Sequence, residues 1–330
     1  MVSERDINLD FTKGVLVITM VLHHSMTYFA YISIYSKYIK YLYFVTGAFV
    51  FISGFIISSI YLNKYNIHET NIYRRLVSRG SKLLIICMIL NILSMIINSS
   101  KSALNYETCS GFIGQFFLFG DWSTIAFSLL IPIAYTLFLS GLLIYALQYH
   151  LNIIIYVSLS FFIYCSIMFY DNKEAYYLRF ITIGLCGLAA GLLSKERIEV
   201  FIDQKLLIFI AYLAYIVYIS IYKQYYAIYV IGIIITLIFI YKSSRCLLKI
   251  KHNIFDGILL IGRYSLMLYI FQIFILQLLH RTTLLFLTQA NNFCAAFLFT
   301  SLTMFIFAKL LDYLRSKSEI INKTYKVIFA

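Results

Sequence analysis

Long apolar runs separated by short polar segments dominate this chain. A helix needs about 20 apolar residues to cross the ~30 Å hydrocarbon core of a bilayer. The pattern predicts about ten membrane-spanning helices, several of them at the short end for spanning. Their predicted bounds are 14–33, 41–62, 82–98, 124–147, 152–170, 177–193, 205–221, 226–241, 255–278 and 292–311. We therefore predict an all-α, polytopic integral membrane protein.

Composition and charge agree with a membrane protein. The chain is 62% hydrophobic and 12% charged and has one proline, which excludes a soluble globular core. The net charge of +13 does not indicate nucleic-acid binding, because most Lys and Arg fall in segments that face the cytoplasm when the N-terminus is inside. Both termini are then cytoplasmic. A single transmembrane domain over 1–311 is followed by a basic tail over 312–330 that suits anionic lipid headgroups.

The cysteines indicate neither a metal site nor a disulfide framework. The six cysteines are scattered singly, without a CxxC pair or a Cys/His spacing typical of zinc ligands. The 30 Tyr and 29 Phe are typical of interfacial belts and helix packing. We expect no metal and no tightly bound cofactor.

A histidine inside the first predicted span is the first candidate for chemistry. Lys13 lies roughly 16 Å along a helix from His24 and within about 20° of its direction, and Asp10 lies one turn below on the same stripe. His23 lies about 80° away on the other side. An ionisable side chain at membrane depth typically marks a functional site or polar pathway. The alternative is a histidine that hydrogen-bonds a neighbouring helix.

Two extramembrane segments stand out. In the predicted inner loop 63–81, Arg75, Arg79 and the following Lys82 share one helical face. Taken alone, this patch is best interpreted as a topology anchor, and the alternative is a phosphate cradle, since arginine binds phosphate bidentately. The predicted outer loop 98–123 contains the only tryptophan. It is either a lid or acceptor site, or a segment lying on the headgroups.

A second ionisable residue, Arg263, falls within the ninth predicted span. An arginine at that depth needs an acceptor or an aqueous cavity, and the competing interpretation is snorkelling to the inner interface. On the same predicted helix, Ser265, Tyr269 and Gln272 form a polar stripe that points into the bundle.

Several segments resemble a known family. Residues 5–14, followed by His24, are similar to the "R…LD…RG…H" start of the acyltransferase-3 superfamily of integral membrane acyltransferases, with Lys13 in place of an arginine. Residues 47–55 are similar to its "FVFLSGF" signature. Within the superfamily, the chain most resembles the branch that succinylates osmoregulated periplasmic glucans.

Two later segments extend the resemblance. Residues 262–265, with Tyr269, resemble the late "LG-x-x-S…Y" motif, and Gln272 stands where many members carry a second histidine. The arginines that correspond to the family's cytoplasmic cluster are Arg74, Arg75 and Arg79.

The resemblance implies transfer of an acetyl or succinyl group from cytoplasmic acyl-CoA to a hydroxyl of an envelope glycan or glycolipid. His24 is then the general base, with Lys13 and Asp10 as the other catalytic candidates. Asp10 pairs with Lys13 or Arg5 at the entrance below His24, and the arginine cluster binds the donor phosphates. The expected location is the cell inner (cytoplasmic) membrane, and a homo-oligomer is compatible with it. Cavity-lining candidates are Ser53, Arg263, Ser265, Tyr269 and Gln272.

Two other classes of protein stay open. A transporter or flippase of an envelope glycan or lipid-linked precursor would line its pathway with His24 and Arg263. It should show repeat symmetry or Gly/Pro-broken helices, which one proline disfavours. In a non-catalytic membrane scaffold, His24 would be structural.

Overall fold

A computed structural model describes residues 6–29, 34–62, 71–98, 127–147, 150–168, 176–193, 204–222, 225–250, 253–283 and 292–329. Every regular element in these ranges is helical. A 3₁₀ helix covers Ile34–Leu42, and a π-helical turn, Ile57–Tyr61, continues the second α-helix. The α-helices are α1 Ile7–Phe29, α2 Phe44–Ile56, α3 Asn71–Asn98, α4 Leu130–Ala146, α5 Asn152–Met168, α6 Tyr176–Leu192, α7 Lys205–Ile221, α8 Tyr226–Leu247, α9 Asn253–Arg263, α10 Ser265–Thr283, α11 Asn292–Lys317 and α12 Glu319–Phe329.

Four stretches of the described chain are long and apolar enough to cross a membrane, and α9 with α10 makes a fifth if the bent pair is one span. Four further helices are apolar but short: a helix of 17 residues covers about 25 Å, less than the ~30 Å hydrocarbon core. The all-helical class and the apolar helices of a membrane protein are thus confirmed. The count of about ten spans and the sides of the termini stay predictions. The four long stretches are Lys37–Tyr61, Ile72–Leu93, Tyr226–Leu247 and Phe293–Lys317.

Large apolar side chains cover the outside of several of these helices. On α3, Ile85 is 56% exposed and Ile89 59% exposed. Ile167 on α5 and Leu206 on α7 are more exposed still. Apolar surface of this extent is costly in water and matches a lipid environment.

The described chain forms two compact units. The first, unit 1, comprises 1–45, 204–223 and 232–330, and the second, unit 2, comprises 46–203 and 224–231. In unit 1, α1 packs against the 3₁₀ helix, α9, α10 and α11. In unit 2, α3 packs on α4, and α6 packs on both α4 and α5.

Glycines permit the closest helix contacts in each unit. In unit 1, a Cβ added to Gly262 would overlap the backbone oxygen of Asp10, and one added to Gly14 would overlap that of Ile258. In unit 2, a Cβ added to Gly54 would overlap the backbone oxygen of Gly184. Small residues allow such approaches, and in membranes they are a main source of helix association.

The ninth predicted span is not one straight helix. α9 and α10 meet at Tyr264 with a bend of 93°, so the prediction of a continuous helix over 255–278 is wrong. Two features explain the break. Gly262 has low helix propensity and is fixed against α1, and the Tyr264 hydroxyl donates a 2.6 Å hydrogen bond to Asp312 Oδ1 of α11.

Two other predicted boundaries change. The arginines predicted in loop 63–81 lie within a helix, because α3 begins at Asn71. The predicted tail from Asp312 begins inside α11, which continues to Lys317 before α12 starts. The predicted outer loop 98–123 lies, except for Asn98, outside the described residues.

Candidate functional site

The N-terminal part of α1 is held by polar contacts within unit 1. Asp6 Oδ1 accepts hydrogen bonds from the backbone N–H groups of Asn8 and Leu9, which caps the helix. Tyr241 donates to Asp6 Oδ2, and Ser244 donates to the Asn8 side chain. These contacts fix the start of α1 against the C-terminal part of α8.

Asp10 and Lys13 form an ion pair on this helix. Lys13 Nζ lies 3.4 Å from Asp10 Oδ1, and Asp10 is only 7% exposed. The pairing with Lys13 was one of two expected for Asp10, and the other partner, Arg5, lies outside the described residues. The Lys13 ammonium balances the charge of the buried Asp10 carboxylate. The backbone oxygen of Asp10 faces Gly262.

The two adjacent histidines of α1 face different neighbours. Their rings meet edge to face with centroids 5.3 Å apart. His23 also contacts the ring of Tyr43 at 6.0 Å, whereas His24 contacts Tyr28 at 6.5 Å. His23 Nδ1 and His24 Nε2 are buried and have no hydrogen-bond partner within the described ranges. The 100° step between neighbours on a helix explains this separation.

A third histidine, His280 near the end of α10, packs against Tyr28, which also contacts His24. Its ring packs on Tyr28 at 5.6 Å and on Phe29 at 5.7 Å. Gln277 makes a side-chain hydrogen bond with Tyr28. Sequence reasoning missed His280 because the family motif directed attention to position 272, eight residues earlier. His280 also lies two residues beyond the end of the ninth predicted span, 255–278, so the predicted bounds left it out.

α1 and α10 run parallel, and their register follows from two contacts. Asp10 of α1 lies beside Gly262 near the end of α9, just before the bend, and Tyr28 of α1 lies beside His280 of α10. The two contacts are 18 residues apart both in α1 (10 to 28) and in the segment that joins the end of α9 to α10 (262 to 280). In this register, Gln272, eight residues before His280, corresponds to position 20 of α1. That position is four residues, or ~6 Å, before His24 along the helix axis.

Several buried polar groups fall within this stretch of unit 1. Gln272 is fully buried, and neither its side-chain oxygen nor its nitrogen has a partner in the described part of the chain. Ser25 Oγ on α1 and Thr300 Oγ1 on α11 are also buried without a hydrogen-bond partner among the described residues. Buried polar groups are normally paired, because leaving one unpaired costs about 1–3 kcal/mol. These four residues, His24, Ser25, Gln272 and Thr300, lie on α1, α10 and α11 of unit 1.

The remaining predicted residues of unit 1 lie elsewhere on α9 and α10. Arg263 is exposed at the bend, with Nη1 3.5 Å from Asp312 Oδ1, so it does not lie inside a continuous span. Ser265 begins α10 and is half-buried. Tyr269 is buried, one turn before Gln272 on the same helix. Tyr269 and Gln272 are thus buried on α10, whereas Arg263 is exposed at the bend before it.

The predicted residues of unit 2 are placed differently. Ser53 Oγ donates a 2.8 Å hydrogen bond to Phe49 O within α2. Arg74 and Arg75 are exposed on the first turns of α3, whereas the half-buried Arg79 guanidinium lies 5.0 Å from the centre of the Tyr61 ring. Arg74 and Arg75 therefore present charge to the surroundings, and Arg79 is engaged in a cation–π contact.

The chemistry of the described residues is that of polar and proton-accepting groups. Across the described ranges, no cluster of three His, Cys, Asp or Glu side chains is arranged to hold a metal ion. The five described cysteines are free thiols. His24 has an imidazole nitrogen that can accept a proton, and Gln272 has an amide that can donate hydrogen bonds.

Comparison of the chain with protein-family models, with curated proteins and with solved structures gives no match. The function is therefore argued from the side chains and their placement.

Proposed function

We propose that this chain is a membrane-embedded O-acyltransferase that moves an acetyl or succinyl group from cytoplasmic acyl-CoA to a hydroxyl of an envelope glycan or glycolipid. One observation supports this most. The two segments that carry the resemblance, around Asp10 and around Gly262, pack against each other in unit 1. Further along α1 and α10, His24 and His280 both contact Tyr28.

In this proposal, His24 is the general base. Its buried Nε2 has no partner among the described residues and is free to accept the proton of an acceptor hydroxyl as that oxygen attacks the thioester carbonyl. The tetrahedral adduct then collapses to the ester, the C–S bond breaks, and the CoA sulfur leaves as a thiol that takes the proton back from His24. The side-chain amide of Gln272, at a level about one turn away, donates a hydrogen bond to the oxyanion that develops. The His24 ring is held in place by Tyr28, which in turn contacts Gln277 and His280.

Donor binding is assigned to unit 2. Arg74 and Arg75 are exposed near the start of α3, where guanidinium groups suit the phosphates of CoA. The direct test of the function uses the purified full-length chain in proteoliposomes, labelled acyl-CoA and an envelope glycan fraction. Label that appears covalently on the glycan supports acyl transfer, and failure both to bind acyl-CoA and to transfer label refutes it.

Arg75→Ala is expected to raise the KM for acyl-CoA roughly fivefold with little change in kcat, because an exposed charge contact contributes at most about 1 kcal/mol. A phosphate contact far from the reacting carbonyl is felt similarly in the ground and transition states. Steady-state kinetics over a range of acyl-CoA concentrations measures both constants. The control is Lys249→Ala, which removes an exposed cation after α8. Equal KM values in the two variants would identify the arginines as topology anchors.

The direction of transfer depends on topology, which single-cysteine labelling tests in a cysteine-free background. Lys37 on the 3₁₀ helix and Lys317 at the end of α11 are both exposed. With the N-terminus inside, a cysteine at 37 should react with an impermeant maleimide in intact cells, and a cysteine at 317 only after the cells are opened. The reverse pattern would overturn cytoplasmic acyl-CoA as donor.

The bend between α9 and α10 favours a second candidate function. Broken helices at a binding site are typical of transporters, and the 93° bend at Tyr264 is such a break. A flippase for a glycan precursor would move labelled precursor across proteoliposomes in the absence of acyl-CoA. Transfer of the acyl label without such movement rejects this candidate.

A further inference from the structure

The last described helix, α12, lies next to the end of a candidate membrane span. The stretch Phe293–Lys317 is long and apolar enough to cross a membrane, and α12 begins at Glu319. Tyr313 near the end of α11 is 60% exposed, with Lys317 Nζ 6.0 Å from its ring centre. Exposed tyrosine and lysine at the end of a span are typical of the membrane–water interface. These features favour a position at the membrane surface for the start of α12.

The chain turns at Ser318, so α12 does not continue along the axis of α11. In a straight helix, Arg315 and Tyr325 would be about 15 Å apart. Instead, the Arg315 guanidinium lies 4.1 Å from the Tyr325 ring centre, and its Nη2 donates a 2.9 Å hydrogen bond to Asn322 Oδ1. Ser318 Oγ accepts from the backbone N–H of Ile321, which starts the new helix.

The side of α12 that faces the protein is docked at the bend between α9 and α10. The ring of Tyr325 meets Tyr264 edge to face at 5.5 Å. Arg315 lies against both rings, 5.3 Å from the centre of Tyr264. This contact fixes the rotation of α12 about its own axis and so determines which residues point outward.

The outward side has an apolar face and a basic face. Ile320 and Val327, seven residues apart and 77% and 63% exposed, share one face. Lys323 and Lys326 are exposed on the adjacent face, where Lys323 Nζ pairs with Glu319 at 2.9 Å. A helix with an exposed apolar face flanked by lysines, at a membrane surface, is typical of segments that lie in the interface of anionic membranes.

We infer that α12 is an interfacial helix that inserts Ile320 and Val327 among the lipids and binds anionic headgroups through Lys323 and Lys326. The occupant of its exposed face is the bilayer that α11 crosses. Charge complementarity supports this choice, since the lysines of α12 and Lys317 outnumber its one acidic residue, Glu319. This inference does not depend on acyl transfer.

Fluorescence of single-cysteine variants of the full-length chain tests this placement. In a cysteine-free background, Val327→Cys and Lys326→Cys carry the same environment-sensitive dye in nanodiscs of phosphatidylcholine with phosphatidylglycerol. We expect blue-shifted emission and quenching by lipid-attached doxyl groups at 327 but not at 326, because neighbouring positions differ by 100° around the helix. Equal water exposure and no quenching at both positions would overturn the insertion of α12.

The dependence of quenching on lipid charge tests the binding of anionic headgroups by Lys323 and Lys326. Nanodiscs of phosphatidylcholine alone should give weaker quenching at 327 than nanodiscs that contain phosphatidylglycerol. Adding Lys323→Gln and Lys326→Gln to the 327 variant should remove this difference. Quenching that is the same in neutral and anionic nanodiscs, with or without the lysines, would overturn the recognition of anionic headgroups.

Discussion

Replacing His24 with Gln is expected to reduce acyl transfer about 10²–10⁴-fold, the usual effect of losing a general base. Gln is similar in size and polar, but it cannot accept the acceptor proton. Binding of acyl-CoA should be unchanged, because we assign it to the arginines of α3. The measurement is single-turnover transfer of labelled acyl groups by purified protein, with donor binding measured on the same samples.

His23→Gln is the matched control for this experiment. His23 lies on the same helix and also has a buried, unpartnered nitrogen in the described part of the chain, but its ring contacts Tyr43 rather than Tyr28. Its replacement removes packing against Tyr43 and should lower the rate less than about tenfold, well below the loss of a general base. A silent His24→Gln together with an inactive His23→Gln would reverse the assignment of the base.

Gly262→Ala is expected to destabilise unit 1, because the new Cβ would overlap the backbone oxygen of Asp10. Backbone atoms cannot rotate away as a side chain can, so α9 and α1 must separate. Overpacking of this kind costs typically about 1–3 kcal/mol, which corresponds to a fall in Tm of roughly 3–10 °C. Thermal unfolding of the purified protein, followed by fluorescence in one detergent, measures it.

The control for that substitution lies on the same helix. In Gly257→Ala the new Cβ would meet the ring of Phe305, with 2.9 Å to Cε2, and this ring can move. Alanine improves helix propensity by about 1 kcal/mol at both positions, so the difference between the variants reports the packing. Equal Tm values for the two variants would mean that the α1–α9 contact does not hold unit 1 together.

Hydropathy predicted where the helices lie but not how they bend. Helices of the described chain overlap every predicted span, because a long apolar run with one proline has few alternatives to a helix in lipid. The largest differences are α3, which begins at Asn71 instead of 82, and the ninth span, which is divided between α9 and α10. The bend at Tyr264 depends on a hydrogen bond to Asp312, 48 residues later in the chain. Periodicity within a window cannot detect such a contact.

The candidate site was predicted only in part, because helix geometry gives the relations within one helix but not the contacts between helices. The separation of His23 from His24 follows from helix geometry alone, and so does the i,i+3 ion pair of Asp10 with Lys13. The place of His280 depends on the register between α1 and α10, which only the packing establishes. Arg263 was placed inside a span because a straight helix was assumed at the bend.

The parallel register of α1 and α10 couples the lengths of two segments that are far apart in sequence. One residue inserted into α10 between Tyr264 and His280 would rotate the imidazole by 100° and move it by 1.5 Å along the axis. Tyr28 would then lose its neighbour, although every residue type was kept. A compensating insertion in α1 between Gly14 and His24 would restore the alignment of Tyr28 with His280. In natural variants, a change in the length of one helix is therefore expected to be accompanied by the same change in the other.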